Sequence, residues 1–207
     1  SGKSTIVQLL NRLYDNSSGE ILIDNDPIQL INLNDLRNQT GCVPQDVFLF
    51  SDTIGNNISF GTFTKDQKSN QKDIEWAARQ AVVHETIKQF NKGYETVVGE
   101  RGVTLSGGQK QRVSIARAIL KSPQILIFDD CLSAVDTETE EKILTNLKQI
   151  MANKTTIIVS HRISSIKDAD HIIMIENGKI IEEGKHDELI QLSGAYKNLY
   201  EKQLIED

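Results

Sequence analysis

Leu105-Ser106-Gly107-Gly108-Gln109, running directly into Lys110-Gln111-Arg112, is the stretch on which the reading of this sequence turns. Two adjacent glycines cost backbone entropy and bring no side chain to a core, so an ordinary buried helix does not open with them. Ser106 followed three residues later by Gln109 is a capping-box pattern, and Val113, Ala116, Ile119 and Leu120 follow at helical spacing. The segment predicts a helix N-terminus with bare backbone amides, where an anion such as a phosphate can sit. A glycine-rich loop that merely starts a helix is the alternative, and the pentapeptide alone leaves both open.

Working outward, the flanking sequence alternates helical and strand patterns. Ile6, Leu9, Leu10 and Leu13 predict a helix ended by Asn16-Ser17-Ser18-Gly19. Glu20–Asp24 alternates as a short strand before the turn Asp24-Asn25-Asp26-Pro27, and Gly41–Pro44 reads as a strand end leading into the loop around Gln45. From Asp66 to Phe90 a polar stretch carries one helical stripe (Ile74, Ala77, Ala78, Ala81, Val82, Ile87). With the Gly/Asn-rich approach Gly55–Gly61 it predicts a separate helical lobe, and Gly99–Gly102 reads as a hinge-like return. Beyond the opening stretch, Ser122-Pro123 stops a helix and Ile125–Phe128 is a fully apolar strand. Thr137 with Glu140 starts a helix bearing Ile143, Leu144, Leu147, Ile150 and Met151, and Thr156–Ser160 is another strand. Ile172–Ile175 and Lys179–Glu183 flank Asn177-Gly178, a strong hairpin signal. Strands alternating with helices imply an α/β fold with a parallel sheet.

Composition bounds the function. A chain of 207 residues can build one compact core with a second small lobe. Its net charge of −6 argues against a nucleic-acid binder, because counterion release needs a basic surface. Apolar runs such as Val47–Phe50 and Ile125–Phe128 fall far short of the ~20 residues of a membrane span, no signal peptide is visible, and a soluble domain is expected. Cys42 and Cys131 form neither a disulfide framework nor a C-x-x-C pair, which suggests reduced, buried thiols in a cytosolic setting. The chain opens on Ser1-Gly2-Lys3-Ser4, without methionine, as though a motif were cut in half, and it reads as a fragment.

Those four residues match the end of the phosphate-binding loop G-x-x-x-x-G-K-[ST]. Lys3 would bridge the β- and γ-phosphates, Gly2 would let the backbone approach, and the Ser4 hydroxyl would ligate Mg²⁺. Ile125–Asp129 is an apolar strand ending in a carboxylate, and the carboxyl ends of buried parallel strands line the ligand crevice of open α/β sheets. Asp129 is thus a candidate Mg²⁺ carboxylate, directly or through water, with N-capping of the next helix as the other reading. Asp130 beside it is a candidate general base. His161 also follows an apolar strand and is a candidate γ-phosphate contact, and the Gln45 amide oxygen can reach a hydrated metal.

Taken together, Ser1–Ser4, Gln45, Leu105–Gln109, Ile125–Asp130, Ser133-Ala134-Val135-Asp136 and His161 resemble, in order and approximate spacing, an ATP-binding cassette (ABC) ATPase. Thr96–Gly102 resembles the exporter loop that senses the membrane domain, so the whole chain looks like an exporter's nucleotide-binding domain. The resemblance implies a P-loop NTPase of RecA-like core with parallel sheet, a small antiparallel β portion and a helical signature subdomain. Residues 1–45 and 122–207 would form the core and 46–121 the helical subdomain. It implies ATP and Mg²⁺ as cofactors: Ser1, Gly2, Lys3, Ser4 and Thr5 on the phosphates, Ser4, Gln45 and Asp129 on the metal, Asp130, His161 and Gln45 in catalysis. Leu105, Ser106, Gly107, Gly108, Gln109 and Asp136 would serve across a head-to-tail dimer, on the partner's nucleotide. The implied partners are a second such domain and a transmembrane domain of the same polypeptide, at the cytoplasmic face of the cell membrane; no nucleic acid is implied.

The sequence departs from the family at the base, where Asp130 stands in place of the usual glutamate. One methylene less retracts the carboxylate by more than ~1 Å, whereas a base must come within about 2.6–3.2 Å of its proton. The expectation is a slow site of its own and a heterodimeric partner bearing the glutamate. Val97 replaces an acidic residue sometimes found in the exporter loop, and the adenine-stacking aromatic would lie upstream of Ser1. The isolated chain is therefore expected to bind ATP poorly. Competing readings are a fully active homodimeric exporter, a nucleotide-gated structural subunit, and a soluble cassette ATPase of translation or repair.

Overall fold

Ile125–Asp129 is the strand from which the observed architecture is best followed. Its residues Leu126, Ile127 and Phe128 are all buried, as a parallel strand covered on both faces requires. The structure is a computed structural model that describes residues 2–62, 69–99 and 102–206. In chain order its elements are α1 (Lys3–Leu10), β1 (Leu22–Ile23), β2 (Asp26–Pro27), α2 (Leu33–Gln39), β3 (Thr40–Val43), α3 (Ile54–Ser59), α4 (Gln71–Gln80) and α5 (His84–Lys88). There follow α6 (Gly107–Leu120), β4 (Ile125–Asp129), α7 (Thr137–Met151), β5 (Thr155–Val159), β6 (Ile172–Glu176), β7 (Lys179–Gly184), α8 (His186–Leu192) and α9 (Ala195–Glu206). The chain divides into two compact units, Ser1–Asn32 with Ile158–Asp207, and Leu33–Ile157.

In the unit of Leu33–Ile157, β3 and β4 pair in parallel from Thr40↔Ile125 to Val43↔Phe128. The sheet order is β3-β4-β5, and β5 enters it as the Thr155 N–H donates to the Gln124 carbonyl at 3.1 Å. Helix α6 packs against α3, α4 and β3 and buries Val113, Ala116 and Ile119, three of the four residues placed on its stripe. The stripe expected over Asp66–Phe90 is instead two helices, α4 and α5; positions 66–68 lie outside the described residues. The break falls at Val82, whose φ of 54° leaves the helix, and Arg112 Nη1 donates to its carbonyl at 2.6 Å. Helix α7 begins at Thr137 as expected, with Asp136 as its N-cap, and Glu140 is buried. Both cysteines are free thiols, and burial pushes the Cys131 thiol far up, so it stays protonated and inert.

In the other unit, β6 and β7 form the expected antiparallel hairpin, with Asn177 (φ 50°) and Gly178 (φ 74°) making its two-residue turn. Ile163, Ile172, Leu189 and Tyr196 form its core, and the Tyr196 hydroxyl shares a hydrogen bond of 2.8 Å with His186 Nδ1. The strand expected over Glu20–Asp24 shrinks to β1. Positive φ at both Asp24 (52°) and Asn25 (70°) makes these two the turn, and Asp26–Pro27 is the return strand. Helix α1 likewise stops at Leu10, because Arg12 turns to φ 46°, and Leu13 is exposed. Among the described residues no helix is long and apolar enough to cross a membrane.

Candidate nucleotide site

The candidate residues fall on both units. In the unit that holds the chain's start, α1 opens at Gly2, whose φ of 95° is left-handed, while nothing lies within 4 Å of where a Cβ would stand. Glycine is required here for its torsion and not for room. The helix has no side-chain cap, so its first amides are offered to an external acceptor. Lys3 is half-buried at this end and Ser4 and Thr5 are exposed; Ser1 lies outside the described residues.

His161 is in the same unit, exposed, just past β5. Its backbone is held from α9: Gln203 Nε2 donates to the His161 carbonyl at 2.6 Å, and Gln203 Oε1 accepts from the Ile163 N–H at 2.8 Å. Ser160 Oγ accepts from the Arg162 N–H at 2.9 Å. This clamp escapes a reading of the sequence, because Gln203 lies 42 positions from His161 with no local pattern joining them.

The unit of Leu33–Ile157 carries the other residues. Strands β3 and β4 pair as far as Val43↔Phe128, so buried Asp129 is the last residue of β4 and exposed Gln45 lies two residues past the end of neighbouring β3. Asp130 adopts φ 47°, a region aspartate reaches more readily than most residues. Its carbonyl accepts from the Ser133 N–H at 3.4 Å and the Ser133 Oγ–H at 2.9 Å, closing a turn into Ser133–Asp136. Asp129 does not cap the following helix; that role belongs to Asp136, whose carboxylate accepts from the Thr139 N–H at 2.9 Å.

The expected capping box at Ser106 is present. Ser106 Oγ accepts from the Gln109 N–H at 3.3 Å and Gln109 Oε1 accepts from the Ser106 N–H at 2.9 Å, above a buried Leu105. The box uses the Gln109 amide and leaves those of Gly107 and Gly108 outside it. Gly108 has a second reason to be glycine: a Cβ there would stand 2.7 Å from the Ala134 carbonyl oxygen. The Ala134 N–H donates to Oε1 of buried Gln111 at 3.3 Å, so 106–111 and 133–136 pack as one piece. Gly108 thus marks a close approach of one backbone to another.

The Thr139 amide and hydroxyl hold the Asp136 carboxyl below its ordinary value, with a smaller contribution from the Arg112 guanidinium. A depressed folded-state pKa contributes stability that is present above the unfolded value of 3.8 and lost as pH falls through the folded one. Asp136→Asn keeps an acceptor for the cap but is expected to abolish this part of the acid dependence, read as a flatter urea midpoint below pH 3.8. An unchanged slope would remove Asp136 as its source.

Within Thr96–Gly102, Thr96 and Val98 are pinned beside the start of α3. Ile54 N–H donates to the Thr96 carbonyl at 2.9 Å, Val98 N–H to the Asp52 carbonyl at 3.0 Å, and Gly102 N–H to the Gly99 carbonyl at 3.0 Å. Val97 is exposed; Glu100 and Arg101 lie outside the described residues.

Among the described residues no group of three or more His, Cys, Asp and Glu side chains could hold a metal by itself. The Ser4 hydroxyl, Gln45 amide oxygen and Asp129 carboxylate are hard oxygen donors of the type Mg²⁺ takes when phosphates and water complete its shell. Each of the three side chains, Ser4 in one unit and Gln45 and Asp129 in the other, is by its chemistry a donor that this ion accepts.

Residues 1–133 match the ABC transporter family model, and the chain belongs to that family. It is 47% identical over 203 residues to ATP-binding cassette sub-family B member 6 of Xenopus tropicalis, covering 98% of this chain and 23% of the relative. It is 48% identical to the ATP-dependent lipid A-core flippase of Legionella pneumophila and 49% identical to the uncharacterized ABC transporter ATP-binding protein YknU of Bacillus subtilis, covering 34% of each. A solved structure of a bacterial Atm1-family ABC exporter with ATP bound superposes with a TM-score of 0.92 at 43% identity, covering 98% of this chain and 35% of that one. The chain thus spans a quarter to a third of the length of these relatives and corresponds to an exporter-type nucleotide-binding domain.

Proposed function

We propose that this chain is the ATP-binding and ATP-hydrolysing domain of an ABC exporter, with a slow site of its own and a signature segment that serves a partner's site. The observation that carries the reading is the Ser106-capped helix start, joined through Gly108 and Gln111 to the Ser133–Asp136 turn that follows Asp129 and Asp130. Residues 1–45 and 122–207 would act as the nucleotide-holding core and 46–121 as the signature-bearing subdomain.

In this reading the uncapped amides at the start of α1 and the Lys3 ammonium take the β- and γ-phosphate oxygens. Mg²⁺, held by Ser4, Asp129 and, through water, Gln45, would supply charge neutralisation on those oxygens. Asp130 takes a proton from the attacking water as its oxygen bonds to the γ-phosphorus. The bond from that phosphorus to the β–γ bridging oxygen breaks, leaving ADP and inorganic phosphate. His161 steadies the γ-phosphate oxygens, its backbone fixed by Gln203 so that only the ring need move. Ser106 and the Gly107 and Gly108 amides would face the partner's ATP. Two such domains closing on ATP and reopening after hydrolysis would drive transport through a membrane domain at the cytoplasmic face of the membrane.

The test is ATP binding by the intact protein. Lys3→Ala removes a charge-assisted contact and is expected to weaken binding about 10- to 150-fold, corresponding to ~1.5–3 kcal/mol. Equal affinity by calorimetry would place the phosphates elsewhere.

A further inference from the structure

Helix α6 opens at the Ser106 cap, and eleven residues further its Arg117 reaches out of the helix into the chain that follows Gln45. Arg117 Nε donates to the Asn57 carbonyl at 2.7 Å, Nη2 to Asn57 Oδ1 at 2.9 Å, and Nη1 to the Phe48 carbonyl at 3.1 Å. Its guanidinium carbon lies 5.8 Å from the ring centroids of both Phe50 and Phe60. Asn57 is 1% exposed, and its side-chain amide grips the same segment: Oδ1 accepts from the Phe50 N–H at 2.9 Å and Nδ2 donates to the Phe50 carbonyl at 3.0 Å. Nδ2 also donates to the Thr53 carbonyl at 3.0 Å. Segment 48–50 has no strand or helix of its own, so these side chains stand in for a hydrogen-bonded ladder.

The residue types suit the task. A planar guanidinium can serve three acceptors and two ring faces at once, whereas an ammonium is a point charge without the fork. Burial lowers the Arg117 pKa, but guanidinium remains charged throughout the physiological range. The two rings under the guanidinium are only part-buried: Phe50 is 36% exposed and Phe60 46%. These rings pack on each other at 4.2 Å, and the polar contacts of Arg117 and Asn57 add the directional hold on the segment's backbone.

We infer that Arg117 is a positioning residue that ties the helix carrying the Ser106–Gln109 segment to the chain following Gln45, so that the two shift together when nucleotide binds. This rests on the nucleotide reading given above, because it takes Gln45 and Ser106 as parts of the ATP machinery. Arg117 itself touches no reacting atom; it acts through Phe48, Phe50 and Asn57. A displacement of Gln45 and its following loop would therefore reach the start of α6 along a link of hydrogen bonds and not through loop entropy alone.

The test is hydrogen exchange on the intact transporter, without nucleotide and with MgATP, following residues 46–60 and 105–121. In the wild type both regions are expected to change protection on ATP. Arg117→Lys keeps the charge and the stem but loses the fork. It is expected to reduce the response of 46–60 relative to that of 105–121 by about 2- to 30-fold. Asn57→Leu removes both the Oδ1 acceptor of Arg117 and the amide donors to Phe50 and Thr53, and tests the same link from its other end, with the same loss expected. Wild-type-like joint responses in either folded variant would overturn the inference and leave Arg117 as a helix-packing residue. A wild type in which neither region responds to ATP would overturn the nucleotide reading itself, a result distinct from loss of the link.

Discussion

Asp130→Glu is expected to raise ATP hydrolysis at this chain's own site by about 10²–10⁴-fold, the range that a well-placed general base supplies. At 1.36 kcal/mol per decade this is a barrier change of roughly 3–5 kcal/mol. Reach of the carboxylate decides the effect. Asp130 begins from a backbone with φ 47° whose carbonyl is tied to Ser133, so the turn resists sliding forward to make up for a missing methylene. Aspartate tolerates that torsion better than glutamate does, so the variant should also be slightly less stable. Higher turnover with a lower melting temperature is a pairing that generic stabilisation cannot mimic. The measurement is single-site turnover in the assembled transporter. An unchanged rate would mean that Asp130 already serves fully as base.

Ser106→Ala is expected to cripple total turnover, by about 10²–10³-fold if its hydroxyl is one of the donors set against developing charge on a transferring phosphoryl group. The hydroxyl also caps α6 through the Gln109 N–H, and loss of the cap alone costs about 1 kcal/mol of stability. The two effects separate experimentally. Ser106→Asn retains a side-chain oxygen for the cap and should recover the melting temperature without recovering turnover. Gly108→Ala probes the same junction from behind, since its Cβ would crowd the Ala134 carbonyl oxygen at 2.7 Å while the capping box stays intact. A Ser106→Ala transporter that keeps wild-type turnover would confine the segment to a structural role.

What was legible in the sequence is what is encoded locally. The Ser106/Gln109 box, the apolar strand ending in Asp129 and the Asn177-Gly178 hairpin are each decided within a few residues by capping, periodicity or turn chemistry. Elements failed where a distant partner decides the local conformation. Val82 leaves the helix with no glycine or proline to mark it, in a turn to which Arg112 donates from 30 residues away. The strand expected at Glu20–Asp24 was cut short because Asp24 and Asn25 adopt turn torsions that composition allows but does not demand. In the site, the residue types and their order could be read, while the groups that hold them could not. Gln203 behind His161, Gln111 behind Ala134 and Arg117 behind Phe48 are long-range hydrogen bonds from ordinary-looking positions.

The central claim is an asymmetry: the signature of this chain works for a faster site than its own Lys3, Asp129 and Asp130 form. Trapping a photoreactive ATP analogue with vanadate in the assembled transporter, followed by mapping of the labelled chain, tests it most directly. The account predicts trapped nucleotide on the partner's phosphate loop, little on this chain, and loss of the partner's label in Ser106→Ala. Equal trapping on this chain, or label on it that survives only while its own Ser106 is intact, would contradict it.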